Sequence, residues 1–179
     1  MPSDIKRKLA AIMFTDIVGF SSMMGNDENL TLSLLEKHDN ICTDYFTQHK
    51  GELIKKLGDG NFVKFDSSLE AVECAIALQD YFKEYNKSVD TSDSIQLRIG
   101  IHIGDVIKKD GDIFSDSVNA TSRITAFAEK GGICISPEAY RAIQGQKDIH
   151  VASIGEYQLK NILGDWNLHR VFSNKEDFQ

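Results

Sequence analysis

Leu9-Ala10-Ala11-Ile12-Met13-Phe14-Thr15-Asp16-Ile17-Val18-Gly19-Phe20-Ser21 is the stretch on which the reading of this chain turns. Residues 9–14 form an unbroken apolar run, which predicts a buried strand over residues 8–14 that stops abruptly. A carboxylate, a glycine and a hydroxyl follow. A strand ending in this way can hold a metal ion on Asp16 while the N–H groups of the turn face an anion.

The rest of the chain must supply what that loop lacks. It has 179 residues, enough for one domain with a core. A net charge of −7 argues against a protein that coats nucleic acid. Cys42, Cys74 and Cys134 are odd in number and widely spaced, which disfavours a disulfide framework or a zinc site and suits a reducing cytoplasm. Residues 1–8 lack a signal-peptide core and no run approaches transmembrane length. The expectation is a cytoplasmic protein with no nucleic-acid or membrane partner.

Hydrophobic spacing outlines the elements. Leu30, Leu34, Ile41, Cys42, Tyr45 and Phe46 predict a helix over residues 28–48. Strands over 52–57 and 61–65 flank Gly58-Asp59-Gly60, a hairpin signal. Ala71, Ala75, Leu78, Phe82 and Tyr85 mark a second helix. Residues 96–106 alternate, with Leu97, Ile99, Ile101 and Ile103 on one face and Arg98, Gly100, His102 and Gly104 on the other, which predicts a half-buried strand. A charged turn over 108–111, a helix over 117–129, a short strand over 133–135 and a helix starting at Ser136-Pro137-Glu138 come next. Two strands in 149–172 close the series. Mixed strands and helices with hairpins imply an α+β domain with a mostly antiparallel sheet flanked by helices.

Several polar residues stand out against this frame. Asp16 and Asp59, each beside a strand end and a glycine, can share two hard cations, and Mg²⁺ suits all-oxygen ligands. Two such ions serve in-line displacement at phosphorus. A lone Gly-Asp-Gly is more often just a turn. Asn119 and Arg123 lie four apart on one helix face and could clamp a ribose and a phosphoryl group, although most polar helix faces are simply solvated. Lys55 interrupts an apolar strand, Asp112 ends the charged turn, and Lys160 sits in the final hairpin; a surface role is the ordinary reading of each.

Phe14-Thr15-Asp16-Ile17-Val18-Gly19-Phe20-Ser21, Lys55-Lys56-Leu57-Gly58-Asp59-Gly60, Arg98-Ile99-Gly100-Ile101-His102-Ile103-Gly104-Asp105 and the run from Asp112 to Arg123 occur in that order, with Leu159-Lys160 behind them. Together they resemble the catalytic domain of class III adenylate/guanylate cyclases over residues 8–172, leaving 1–7 and 173–179 as tails. The resemblance implies a ferredoxin-like fold. It also implies two divalent cations, Mg²⁺ or Mn²⁺, on Asp16, Asp59 and the Ile17 carbonyl. Asn119 would orient the ribose, Arg123 stabilise the transition state, Lys160 contact the triphosphate, and Phe20 lie against the substrate. It implies a homodimer with sites at the interface, so that Lys55 and Asp59 serve different sites. The reaction would convert a nucleoside triphosphate to a 3′,5′-cyclic nucleotide and pyrophosphate. Ser115, and Asn161 after the lysine, stand where glycine is common.

In this family a lysine and an aspartate at Lys55 and Asp112 select adenine. A donor beside an acceptor fits the adenine edge, but cytosine offers the same pair. A bare catalytic domain also resembles the pyrimidine cyclases of bacterial antiphage systems, which make cyclic UMP or cyclic CMP. A degenerate cyclase used for dimerisation or nucleotide sensing is a non-enzymatic alternative, although such domains usually lose a metal aspartate or the Asn/Arg pair.

Overall fold

Two long strands, one carrying the unbroken apolar run and the other alternating, lie side by side at the centre of the protein. The computed structural model describes residues 6–110 and 112–172. Strand β1 (Lys6–Ile17) pairs along its whole length with the antiparallel β4 (Leu97–Lys109). The sheet also contains β2 (Glu52–Leu57), β3 (Gly60–Phe65), β5 (Asp112–Phe114), β6 (Ile133–Ile135), β7 (His150–Gln158) and β8 (Asp165–Phe172). Its order is β2-β3-β1-β4-β6-β8-β7, with β5 hydrogen-bonded to the end of β4. Among the described residues only β4–β6 is parallel. The expected α+β fold with a mostly antiparallel sheet is what forms.

One sheet face carries the main core. Ala11, Met13, Val63, Phe65, Leu97, Ile99, Ile101, Ile133, Ile135 and Val171 pack against α2 (Glu28–Gln48), α3 (Ser68–Lys87) and α5 (Pro137–Ile143). Local chemistry starts each helix. Asp27, Ser67 and Ser136 each accept a backbone N–H three residues on, and Pro137 occupies the first turn of α5. Among the described residues no helix is long and apolar enough to cross a membrane.

The other face is covered by α4 (Asp116–Thr125), whose Ala120 and Ile124 pack with Cys134, Leu159 and Leu168. Gly100 explains the closeness of this contact. A Cβ there would lie 2.3 Å from Thr125 Oγ1 and 2.7 Å from the Thr125 backbone. Strand β4 is therefore covered on both faces over this stretch, not half-buried as the alternation suggested, because glycine admits a helix where a side chain would stand.

Further boundaries differ from expectation. β1 continues past Phe14 because Thr15, Asp16 and Ile17 pair with Ile99, Arg98 and Leu97. β4 runs through Lys109, where a turn was expected, and β5 then pairs back on it; Gly111 lies outside the described residues. α4 stops at Thr125 since Ala126, Phe127 and Ala128 each donate to the carbonyl three residues back, tightening the last turn. A short helix α1 (Phe20–Asn26) was not foreseen.

His102 sits between β4 and α5. It is 5% exposed, its Nδ1 is hydrogen-bonded to the Ser136 hydroxyl at 2.7 Å, and Trp166 packs edge-on at 5.0 Å. Burial brings its pKa down from 6.5 to about 4, against the opposing pull of Glu138. Between those values the unfolded chain binds a proton that the folded chain does not, so stability rises with pH. The contribution is complete above about pH 6.5 and lost as pH falls towards about 4, and its size is ~3 kcal/mol. In urea unfolding across this range, His102→Gln should show a shallower pH dependence than the parent. His38 and His169, shifted in the same direction, are present in both proteins, so the difference isolates His102. Equal slopes would contradict a neutral buried imidazole.

Candidate active site

By alternation Asp16 lies on the sheet face of Ala10, Ile12 and Phe14, away from the main core. Its cross-strand partner is Arg98. The guanidinium grips it with both arms: Nε donates to Oδ1 at 3.0 Å and Nη2 to Oδ2 at 2.9 Å. The hairpin between β2 and β3 delivers the second carboxylate. Gly60 presses so closely on β1 that a Cβ would lie 2.3 Å from the Thr15 carbonyl oxygen. Beside it, the Ile17 N–H donates to Asp59 Oδ2 at 3.0 Å. Asp16, Ile17 and Asp59 thus meet at one strand end.

Hard oxygen donors of this kind fit Mg²⁺ or Mn²⁺. No cluster of three or more His, Cys, Asp or Glu side chains is found among the described residues. Asp16 and Asp59 would be the side-chain donors for such an ion, and backbone carbonyl, water or phosphate oxygens would complete a shell. Two N–H groups of the loop expected to face an anion already have partners, since Ile17 donates to Asp59 and Val18 to the Gln96 carbonyl. Phe20 opens α1 and is half-buried against the main core.

A second pair joins β2 to β5, and α4 carries two further candidates. Lys55 Nζ donates to Asp112 Oδ2 at 3.1 Å, across 57 sequence positions. Asp112 Oδ1 also accepts the Ile113 N–H at 2.8 Å. That backbone bond first, and Lys55 second, hold the Asp112 carboxyl below the usual carboxylate range, so it is an acceptor at neutral pH. The pairing gives Lys55 a specific partner beyond an edge lysine's role. Asn119 and Arg123 lie on the exposed side of α4, with no side-chain partner among the described residues. Lys160 is exposed in the turn between β7 and β8. Asn161 after it has φ 63, the left-handed region where glycine is cheapest and asparagine is tolerated. Ser115 needs no glycine: its φ is 174, and its side chain caps α4 by accepting the Val118 N–H.

Arg98 is the residue that sequence reasoning missed. Its signal was present, as a charge between Leu97 and Ile99 on a strand whose polar face had to meet something.

Asp16 and the open Asn119/Arg123 pair on α4 thus lie over the same sheet face. The model of the adenylate and guanylate cyclase catalytic domain matches residues 5–173, and the chain belongs to this family. "Putative adenylate cyclase 3" of Rhizobium meliloti (strain 1021) is 38% identical over 159 residues, 88% of this chain and 27% of that protein. The adenylate cyclase of Streptomyces coelicolor is 30% identical over 73% of this chain and 33% of that protein. The chain thus spans no more than a third of either relative. Among solved structures, an adenylate/guanylate cyclase/hydrolase from Silicibacter pomeroyi superposes with a TM-score of 0.87 at 30% identity, covering 93% of this chain and 98% of that one.

The thiols stand apart from this chemistry. Cys42, Cys74 and Cys134 are all buried. Burial pushes the Cys74 and Cys134 thiols up to about 12 and Cys42 higher still. A thiol held this way is unreactive. Ellman's reagent should therefore titrate almost no thiol in the folded protein and all three in denaturant; rapid reaction of even one in the native state would contradict this.

Proposed function

We propose that this chain is a metal-dependent nucleotidyl cyclase that converts a nucleoside triphosphate, ATP in first place, to its 3′,5′-cyclic nucleotide and pyrophosphate. The observation that carries the reading is the Ile17 N–H to Asp59 bond, which brings the hairpin carboxylate to the strand end that bears Asp16. Family membership and the two relatives named as adenylate cyclases support it.

Divalent cations bound there would lower the pKa of the ribose 3′-hydroxyl and neutralise charge on the triphosphate. The remaining work falls to the chain. Asn119 holds the ribose so that O3′ lies in line with the α-phosphorus, and Arg123 offsets the charge that builds on the α-phosphoryl oxygens. Lys160 contacts the outer phosphates. As O3′ gives up its proton to solvent and attacks, the bond from the α-phosphorus to the bridging oxygen breaks and pyrophosphate leaves. Asp16 and Asp59 act with Asn119, Arg123 and Lys160 of a second copy, so the enzyme is a homodimer with two equivalent sites.

The joined Lys55–Asp112 pair supports adenine, because an ammonium beside an ionised carboxylate matches a ring nitrogen beside an exocyclic amine. The same pair favours one second reading, CTP, since cytosine presents the same edge. Uracil and guanine present the reverse.

Incubation with each of the four nucleoside triphosphates and Mg²⁺ or Mn²⁺ tests the reading. One cyclic nucleotide should form, with ATP preferred, and no cyclic product from any of them would overturn the assignment. Asp16→Asn should abolish turnover, and Arg123→Ala should lower kcat by roughly 10²–10³ with a smaller effect on KM. Mixing these two inactive variants should restore about a quarter of the parent activity, because half the dimers then hold one intact site. No recovery on mixing would place the whole site within one chain.

A further inference from the structure

We infer that Arg98 is a latch on the metal site: it occupies Asp16 in the resting protein and must release it before a divalent cation can bind. The inference rests on the proposed metal role of Asp16 and adds a regulation of that site.

Both carboxylate oxygens of Asp16 are taken, Oδ1 by Nε and Oδ2 by Nη2 of the same guanidinium. A cation on Asp16 would compete with these charge-assisted bonds for the same two oxygens and, with the guanidinium in place, would sit beside a like charge. Backbone movement offers no escape, because Asp16 and Arg98 face each other in the register of the two central strands. The guanidinium itself has room to move. The Arg98 side chain is 35% exposed and borders a shallow cleft lined by Val18, Gly19, Ala128, Glu129 and Lys130. Glu129, the acid there, is paired with Arg170. The cleft therefore gives the released guanidinium space but no unengaged carboxylate.

An ion arriving alone gains a carboxylate and leaves a cation unpaired beside it. An ion arriving with a polyanion does not, because the phosphates neutralise both. Arg98 thus makes metal uptake depend on nucleotide, and cations enter as the nucleotide complex and not ahead of it. Asp59 has no such guard, since its partner is the neutral Ile17 amide.

Free Mn²⁺ binding, followed by the loss of its electron paramagnetic resonance signal with no nucleotide present, tests the latch. Arg98→Gln should bind Mn²⁺ at least about tenfold more tightly than the parent, the order expected for removing a competing charged pair. Arg98→Lys, which keeps the charge but loses the fork, should fall between them. Calorimetric titration with the Mn²⁺ complex of the α,β-methylene analogue of ATP should show a larger gain over free Mn²⁺ in the parent than in Arg98→Gln. Equal or weaker Mn²⁺ binding by a folded Arg98→Gln, as judged by its thermal unfolding, would overturn the latch and leave the cyclase reading standing. Persistence of the tightened binding in Arg98→Gln/Asp16→Asn would instead overturn Asp16 as a metal ligand.

Discussion

The antiparallel register of β1 and β4 is the constraint on which the rest of the molecule depends. It sets Ile12 opposite His102, Phe14 opposite Gly100 and Asp16 opposite Arg98. Side chains alternate with period two, so a one-residue slip would carry Asp16 to the face of Met13 and Ile17 and strand a charge in the core. The same register puts Gly100 where α4 crosses, and the helix that carries Asn119 and Arg123 rests directly on the strand backbone. One pairing thereby fixes the core, the seat of one carboxylate and the height of the helix above it.

What the sequence made legible was whatever repeats locally. α2 follows its apolar spacing from Glu28 to Gln48, and the Gly58-Asp59-Gly60 hairpin follows its turn chemistry. What stayed hidden depends on partners far along the chain. The apolar run stops at Phe14, but the strand does not, because hydrogen bonds to β4 carry it on through a threonine and an aspartate. α1 has seven residues and no side-chain cap, and β5 has three, so neither offers a period to read. Within the candidate site, residue identities were visible as motifs. One pairing was not: Asp16 meets Arg98 over 82 positions.

Pairings of this kind give the resting site a definite electrostatic character. Although the chain carries a net charge of −7, each carboxylate of the site has a local donor. Asp16 has a guanidinium, Asp59 a backbone amide, and Asp112 an amide and an ammonium. Arg123 and Lys160 stand open. A charged ligand at such a site would compete with the pairs already formed, Asp16 with Arg98 and Lys55 with Asp112. That competition favours ligands that satisfy both members of a broken pair, because leaving one partner alone costs more than the pair was worth. Under the proposed function, a triphosphate with its cations would meet that condition at Asp16 and Arg98, and a base edge with a donor beside an acceptor would meet it at Lys55 and Asp112.

The hairpin of β2 and β3 bears on how such a site is divided. Lys55 and Asp59 are four residues apart on the same short element, yet their partners lie on different ones. Asp59 is held at the end of β1 by the Ile17 amide, whereas Lys55 is held by Asp112 on β5. Lys56, between them, is tied back to Asp39 on α2. With its charged residues fixed to separate neighbours, the hairpin presents the Asp59 carboxylate in one place and the Lys55 ammonium in another. Under the proposed function the two residues serve different nucleotides. It also explains why β2 can be so exposed along its length: an edge strand whose lysines are committed to side-chain partners keeps its place without a buried face of its own.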